Sequence, residues 1–150
     1  MNILSAVSDT DLHSEYIRRF TLKAGDRIAC AEDLVCHLRP YFSDDPYREK
    51  FVCIFLNGRN QIIATETLFE GSLSTSAVYP REVIRSILHH GSAVVLFAHN
   101  HPSQNPNPSQ DDLTITKKLI EACKTIDVSV HDHLILAGKT FTSFADRGII

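Results

Sequence analysis

The chain has 150 residues, 43% of them hydrophobic and 22% charged, which is enough material for one hydrophobic core. With a net charge of −3, it lacks the strong positive field that non-specific nucleic-acid binding needs, although a local basic patch is compatible with it. No apolar run approaches the ~18 residues of a membrane span, the first residues do not resemble a secretory signal, and the four cysteines form no CxxC pair, so we expect a cytoplasmic protein.

Residues 1–45 are predicted to be an N-terminal helical extension. The first helix begins near Ser8 and carries an apolar residue at every fourth position from Leu12 to Phe20, which places these residues on one face. The second helix ends at Pro40, because proline does not continue a helix. The remaining residues, 46–150, are predicted to form the main domain.

Strands and helices alternate from residue 46 onward. The predicted strands are 51–56, 61–69, 92–98, 129–137 and 140–144, with a helix that begins at Pro80 and another that follows Ser109. The apolar face of the helix from Pro80 consists of Val83, Ile84, Ile87 and Leu88. This alternation favours an α/β layered domain in which a central mixed β-sheet is flanked by helices, and it leaves the strand order open.

The residues after the predicted strand 92–98 carry the chemistry. His99 and His101 are two residues apart, and side chains at that spacing in a strand point the same way. The loop behind them contains three prolines, and Ser109 is placed to cap a helix whose first turn contains Asp112. Each feature alone is a common polar strand end or helix cap. Together, two imidazoles and one carboxylate predict a zinc site that keeps a fourth position open for water.

The spacing of these residues resembles the H-x-H-x7-S-x2-D pattern of the JAMM (JAB/MPN) zinc metallohydrolases. The loop is most similar to that of the RadC branch, and the similarity covers residues 46–150, including TETLFEGSL at 65–73 and DHLIL at 132–136. Gln104 departs from the pattern, which usually has glycine there. RadC proteins typically carry an N-terminal helix-hairpin-helix region, and residues 1–45 do not resemble it, so we expect a short form with the JAB domain alone.

The resemblance implies a JAB/MPN fold, which is cytidine-deaminase-like, and a zinc metallopeptidase activity on a peptide or isopeptide amide bond. The implied Zn²⁺ ligands are His99, His101 and Asp112. Ser109 would help to stabilise the tetrahedral intermediate in addition to capping its helix.

The family also needs a glutamate as general base, placed just before the first core strand. Glu49 fits that place. The simpler interpretation is that Glu49 is a solvated surface residue without a catalytic role. Glu66 is the alternative base, since an acid on a strand could also reach the metal. His133 is a candidate acceptor for the second N–H of a ligating histidine, or simply a core histidine.

Two other functions are compatible with the sequence. RadC proteins are historically linked to DNA repair, so a DNA-repair accessory protein with a zinc site and weak or no catalysis is an alternative, although the acidic balance argues against direct nucleic-acid binding. A zinc hydrolase acting on nucleic acid or a small amide is another. We expect a protein or peptide substrate and no membrane partner. Residues 72–79 and 104–108 are the candidate specificity loops, and the oligomeric state is not predicted.

Overall fold

The structure is a computed structural model that describes residues 6–71 and 77–150; most of the candidate specificity loop 72–79 lies outside the described residues. The elements in chain order are α1 (Asp9–Phe20), α2 (Ala31–Leu38), a 3-10 turn (Arg39–Phe42), β1 (Lys50–Leu56), β2 (Ile62–Glu70), α3 (Pro80–His90), β3 (Val94–Asn100), α4 (Gln110–Lys124), β4 (Ser129–Ala137) and β5 (Thr140–Ser143). Among the described helices, none has the length and apolar character needed to span a bilayer.

In the described part of the chain, five strands form one sheet in the order β2-β1-β3-β4-β5. β1 pairs antiparallel with both β2 and β3, β3 pairs parallel with β4, and β4 pairs antiparallel with β5. The predicted α/β fold with a mixed sheet flanked by helices is therefore confirmed. Because β3 is the central strand, its carboxyl end is enclosed by a neighbour on each side.

Each face of the sheet carries one hydrophobic cluster. α2 covers one face, where Leu34 and Leu38 belong to the same cluster as Ile54 of β1. α3 and α4 cover the other face, where Leu119 joins the cluster that contains Phe51. β1 and β3 are buried along their whole length, as their apolar runs predict. α2 thus contributes to the core of the sheet, and the division of the chain at residue 45 stays a prediction.

Two predicted details differ from the structure. β3 extends past residue 98, because His99 pairs with Phe51 on one side and with Ile135 on the other. α3 buries a narrower stripe than predicted, since Val83 and Ile87 are buried whereas Leu88 is 64% exposed.

α1 begins as predicted, with the Ser8 hydroxyl accepting a hydrogen bond from the main-chain N–H of Asp11 at 3.1 Å. All twelve residues of this helix are described, and none of them is buried. Its predicted apolar face, from Leu12 to Phe20, is exposed. α1 therefore contributes much less to the core than α2 does.

Candidate metal centre

The carboxyl end of β3 places two histidines on one side of the sheet. His99 alternates with Phe97 and Val95 along the strand, so it faces α3 and α4, and it is buried. His101 follows the last strand residue. Its main-chain N–H donates to the carbonyl of Leu136 at 2.8 Å, which continues the pairing with β4 beyond Asn100. The two side chains therefore leave the same face of the sheet.

The start of α4 supplies the carboxylate. The Ser109 hydroxyl accepts from the main-chain N–H of Asp112 at 3.1 Å, and Asp112 Oδ2 accepts from the main-chain N–H of Ser109 at 2.8 Å. This reciprocal capping box confirms Ser109 as the N-cap residue and turns Asp112 back toward β3. A carboxylate in the first turn is also favoured by the partial positive charge of the helix N-terminus.

These three side chains converge on one point. The Nε2 atoms of His99 and His101 lie 3.0 Å apart, and each lies 3.1 Å from a different carboxylate oxygen of Asp112. Zinc bonds of about 2.0–2.1 Å place tetrahedral ligand atoms about 3.3 Å from each other. The spacing of the three ligand atoms thus fits one ion, and this group could hold a metal.

Both ring orientations are set by a second hydrogen bond on Nδ1. His101 Nδ1 lies 2.7 Å from the carbonyl oxygen of Asn105, which can only accept, so in the neutral ring Nδ1 carries the proton and Nε2 presents its lone pair. His99 Nδ1 lies 2.8 Å from Nε2 of His133 on β4. His133 therefore occupies the place predicted for a partner of a ligating histidine.

The charges in this group stabilise one another. Burial raises the pKa of the Asp112 carboxyl, but the contacts of both its oxygens with the imidazoles of His101 and His99 outweigh burial and hold that pKa well below its usual range. The Asp112 carboxylate accepts a hydrogen bond from the protonated form of His101, and this raises the pKa of His101 against the effect of burial. Burial holds the pKa of His133 well below its usual range. The carboxylate is thus kept ionised, as a metal ligand must be.

Glu49 lines the same cleft, which has a volume of about 350 Å³ and also borders His101, Ser109 and Asp112. The negative charge of Glu49 makes a smaller contribution to the raised pKa of His101 than the hydrogen bond to Asp112 does. Glu49 comes directly before β1, the place that the JAMM resemblance implies for the base. The structure therefore brings the candidate base to the three candidate ligands.

Asn100 holds the main chain on both sides of Glu49. Its Oδ1 accepts from the main-chain N–H of Lys50 at 2.8 Å, and its Nδ2 donates to the carbonyl of Arg48 at 3.0 Å. The carbonyl of Glu49 accepts from the N–H of Gly71 at 2.9 Å. Sequence reasoning missed this role of Asn100. Its position between two ligand histidines, pointing to the opposite face, is the signal that could have found it.

Glu66, the alternative base, lies in a different environment. Its carboxylate contacts the His90 imidazole and lies 3.4 Å from the Ser86 hydroxyl, and both partners belong to α3. In the β1–β2 register Glu66 is opposite Cys53, whereas Lys50, next to Glu49, is opposite Glu70. Which glutamate is the base stays a prediction, and the geometry favours Glu49.

With this arrangement in view, comparison with known proteins defines the family. Residues 28–149 match the RadC-like JAB domain. The chain belongs to this family. The match to the RadC-like JAB domain includes α2 and the five described strands. It also contains every residue of the candidate metal centre.

Relatives carry the name UPF0758 protein. The chain is 48% identical over 103 residues to UPF0758 protein YfjY of Escherichia coli, an alignment covering 69% of the chain and 64% of the relative. It is 42% identical over 127 residues to a UPF0758 protein of Thiobacillus denitrificans, covering 85% of the chain and 56% of the relative. It is 50% identical over 102 residues to a UPF0758 protein of Nitrosospira multiformis, covering 68% of the chain and 46% of the relative. The chain thus spans less than two thirds of each of these relatives.

Proposed function

We propose that this RadC-like JAB domain is a zinc-dependent hydrolase that cleaves a peptide or isopeptide amide bond in a protein or peptide substrate. The observation that carries the proposal is the convergence of His99, His101 and Asp112 on one point, beside a cleft that Glu49 lines together with His101 and Asp112. Three protein ligands leave a fourth position open, which is the composition of catalytic rather than structural zinc sites.

The chemistry needs a metal and a base in one cleft. When bound here, zinc would lower the pKa of a coordinated water toward ~7 and polarise the substrate carbonyl. Glu49 would accept a proton from the attacking water and return it to the leaving amine. Because Asn100 and Gly71 hold the main chain around Glu49, the base is presented from a fixed strand end.

Ser109 lines the same cleft and supports the tetrahedral step. Its hydroxyl oxygen accepts the capping hydrogen bond from Asp112, so its own O–H can donate to a developing oxyanion. The capping role fixes the hydroxyl beside the ligand group. Structural capping and catalysis are therefore compatible in this residue.

The test starts from protein purified without chelators. We expect about one zinc per chain by elemental analysis, and hydrolysis of some members of a panel of peptides and lysine-linked isopeptides. Glu49→Gln should keep its zinc and lose roughly 10²–10⁴-fold in turnover, the usual contribution of a general base. His101→Ala should lose both zinc and activity. Absence of zinc from the wild-type chain, or full turnover by Glu49→Gln, would contradict the proposal.

A further inference from the structure

A chain of buried polar groups connects one candidate ligand to another. His99 Nδ1 lies 2.8 Å from His133 Nε2, and His133 Nδ1 lies 2.6 Å from the Thr116 hydroxyl oxygen. That hydroxyl donates to the main-chain carbonyl of Asp112 at 2.6 Å. We call these four groups the relay. It begins on the ring of His99 on β3 and ends on the main chain of Asp112 on α4.

The relay is excluded from solvent. His133 is 0% exposed, Thr116 is 1% exposed and His99 is 2% exposed. The His133 ring packs against Phe51, Phe97 and Phe144, with ring centroids 4.8–6.0 Å apart. Such surroundings disfavour a charged imidazole, so His133 has one N–H and one bare nitrogen.

The direction of every hydrogen bond follows from the carbonyl end. The Asp112 carbonyl can only accept, so it takes the single hydroxyl proton of Thr116. The Thr116 oxygen must then accept from Nδ1–H of His133, which leaves His133 Nε2 bare. His133 Nε2 therefore accepts from Nδ1–H of His99.

We propose that His133 and Thr116 are positioning residues that hold the proton of His99 on Nδ1 and so keep its Nε2 lone pair directed at the metal centre. This inference rests on the metal-binding part of the proposed function. It makes the ligand state of His99 a property of the fold, set before any ion binds. The acceptor for the ligand N–H is a neutral imidazole, where carboxylates and carbonyls are the usual partners.

Thr116→Val is the most direct perturbation, because valine has the shape of threonine and lacks the acceptor. Nδ1–H of His133 would then lack its partner in a buried site, and moving that proton to Nε2 would reverse the hydrogen bond to His99. We expect zinc affinity, measured by competition with a chromophoric chelator, to fall about 10–100-fold. Thr116→Ser keeps the hydroxyl and should keep the wild-type affinity.

Thr65→Val is the matched control. The Thr65 hydroxyl lies 2.9 Å from Nε2 of the buried His37. This variant therefore also removes a threonine hydroxyl that is hydrogen-bonded to a buried histidine, but on another part of the sheet. We expect it to bind zinc like the wild type. Long-range ¹H–¹⁵N spectra of the metal-free proteins provide a second readout, independent of activity. His133 should show a protonated Nδ1 and a bare Nε2 in the wild type and in Thr116→Ser, and lose this pattern in Thr116→Val.

Three results would overturn the inference: wild-type zinc affinity in Thr116→Val, the opposite protonation pattern of His133 in the wild type, or an equal loss of affinity in Thr65→Val. A wild-type chain that binds no zinc would instead contradict the proposed function. In that case the His133 spectra of the metal-free proteins still decide whether the hydrogen bonds of the relay run from His99 toward Asp112.

Discussion

Two histidine–carboxylate groups lie on the side of the sheet that α3 and α4 cover, and they differ in how their members are assembled. At Asp112, two imidazoles from the end of β3 approach the two oxygens of a carboxylate from α4. At Glu66, a carboxylate from β2 meets an imidazole and a hydroxyl that both come from α3. The first group could hold a metal, and the second ties one helix to one strand.

The difference shows what a metal centre requires beyond the right residue types. His99 and His101 each have a second hydrogen bond on Nδ1 that turns Nε2 toward the carboxylate. At the other group, His90 contributes the imidazole, and its ring packs on Phe55 at a centroid distance of 4.7 Å. Convergence of separate elements, with the ring nitrogens oriented from behind, distinguishes the first group from an ordinary ion pair.

The largest expected effect is on zinc affinity, when the carboxylate of each group is replaced in turn. Asp112→Asn keeps an oxygen that can accept from the Ser109 N–H, so the cap of α4 survives while the anionic ligand is lost. We expect zinc affinity to fall by about three orders of magnitude, more than the 10–100-fold typical of an outer partner. Glu66→Gln should bind zinc like the wild type. Chelator competition measures both, and equal losses would show that the two groups are not distinct.

The buried His37 of α2 extends the comparison to an imidazole held by neutral groups. The main-chain N–H of Leu22 donates to His37 Nδ1 at 2.9 Å, and His37 Nε2 lies 2.9 Å from the Thr65 hydroxyl. Burial lowers the pKa of His37 to about 4, from an ordinary value of 6.5. Between these values the unfolded chain binds a proton that the folded chain does not. The free energy of unfolding should therefore fall by about 3 kcal/mol from pH 6.5 to pH 4.

Urea unfolding of the metal-free chain at several pH values in this range measures that slope. Other buried groups also titrate, so the informative quantity is the difference between the wild type and His37→Asn, which lacks the imidazole. We expect the variant to be less stable at pH 7 and to lose less stability on acidification. Parallel pH curves would mean that His37 titrates normally in the folded protein.

A smaller effect is expected at Asn100, which orients the main chain that carries Glu49. Asn100→Ala removes both hydrogen bonds to residues 48 and 50, so Glu49 is held less firmly. We expect turnover to fall about tenfold with zinc affinity unchanged, because misplacement of a catalytic group by a fraction of an ångström weakens the reaction more than binding. Asn57→Ala removes similar side-chain bonds from the 57–61 turn and should leave turnover unchanged.

Local patterns predicted the parts of the metal centre that depend on near neighbours. The spacing of His99 and His101 sets a common face, and the distance from Ser109 to Asp112 is that of a capping box, so both could be predicted from the chain. The contacts of Asn100 with residues near Glu49 depend on β1 pairing with β3. Those of His99 with His133 depend on β3 pairing with β4. Strand order is not encoded in periodicity, so these roles needed the fold.

The smallest expected effect concerns the loop that joins the two halves of the metal centre. Gln104 has φ of +63°, a left-handed conformation that costs a residue with a side chain about 1–2 kcal/mol. Glycine relieves this strain. However, glycine also gives the unfolded chain more conformational freedom, which offsets roughly 0.5–1 kcal/mol of the gain. Gln104→Gly should therefore raise the free energy of unfolding by about 0.5 kcal/mol.

The opposing contribution is the contact of Gln104 with Gly138, where an added Cβ would lie 3.4 Å from the Gln104 side chain. This closeness shows that the glutamine packs against the β4–β5 turn, so its removal also loses some packing. Urea unfolding decides which contribution is larger: a gain in Gln104→Gly means that backbone strain dominates, and a loss means that the contact with the turn does. Because Gln104 is exposed and outside the ligand group, zinc affinity should be unchanged in either case. A change in zinc affinity would show that the conformation of this loop sets the position of His101, whose carbonyl accepts from the N–H of Gln104 at 3.0 Å.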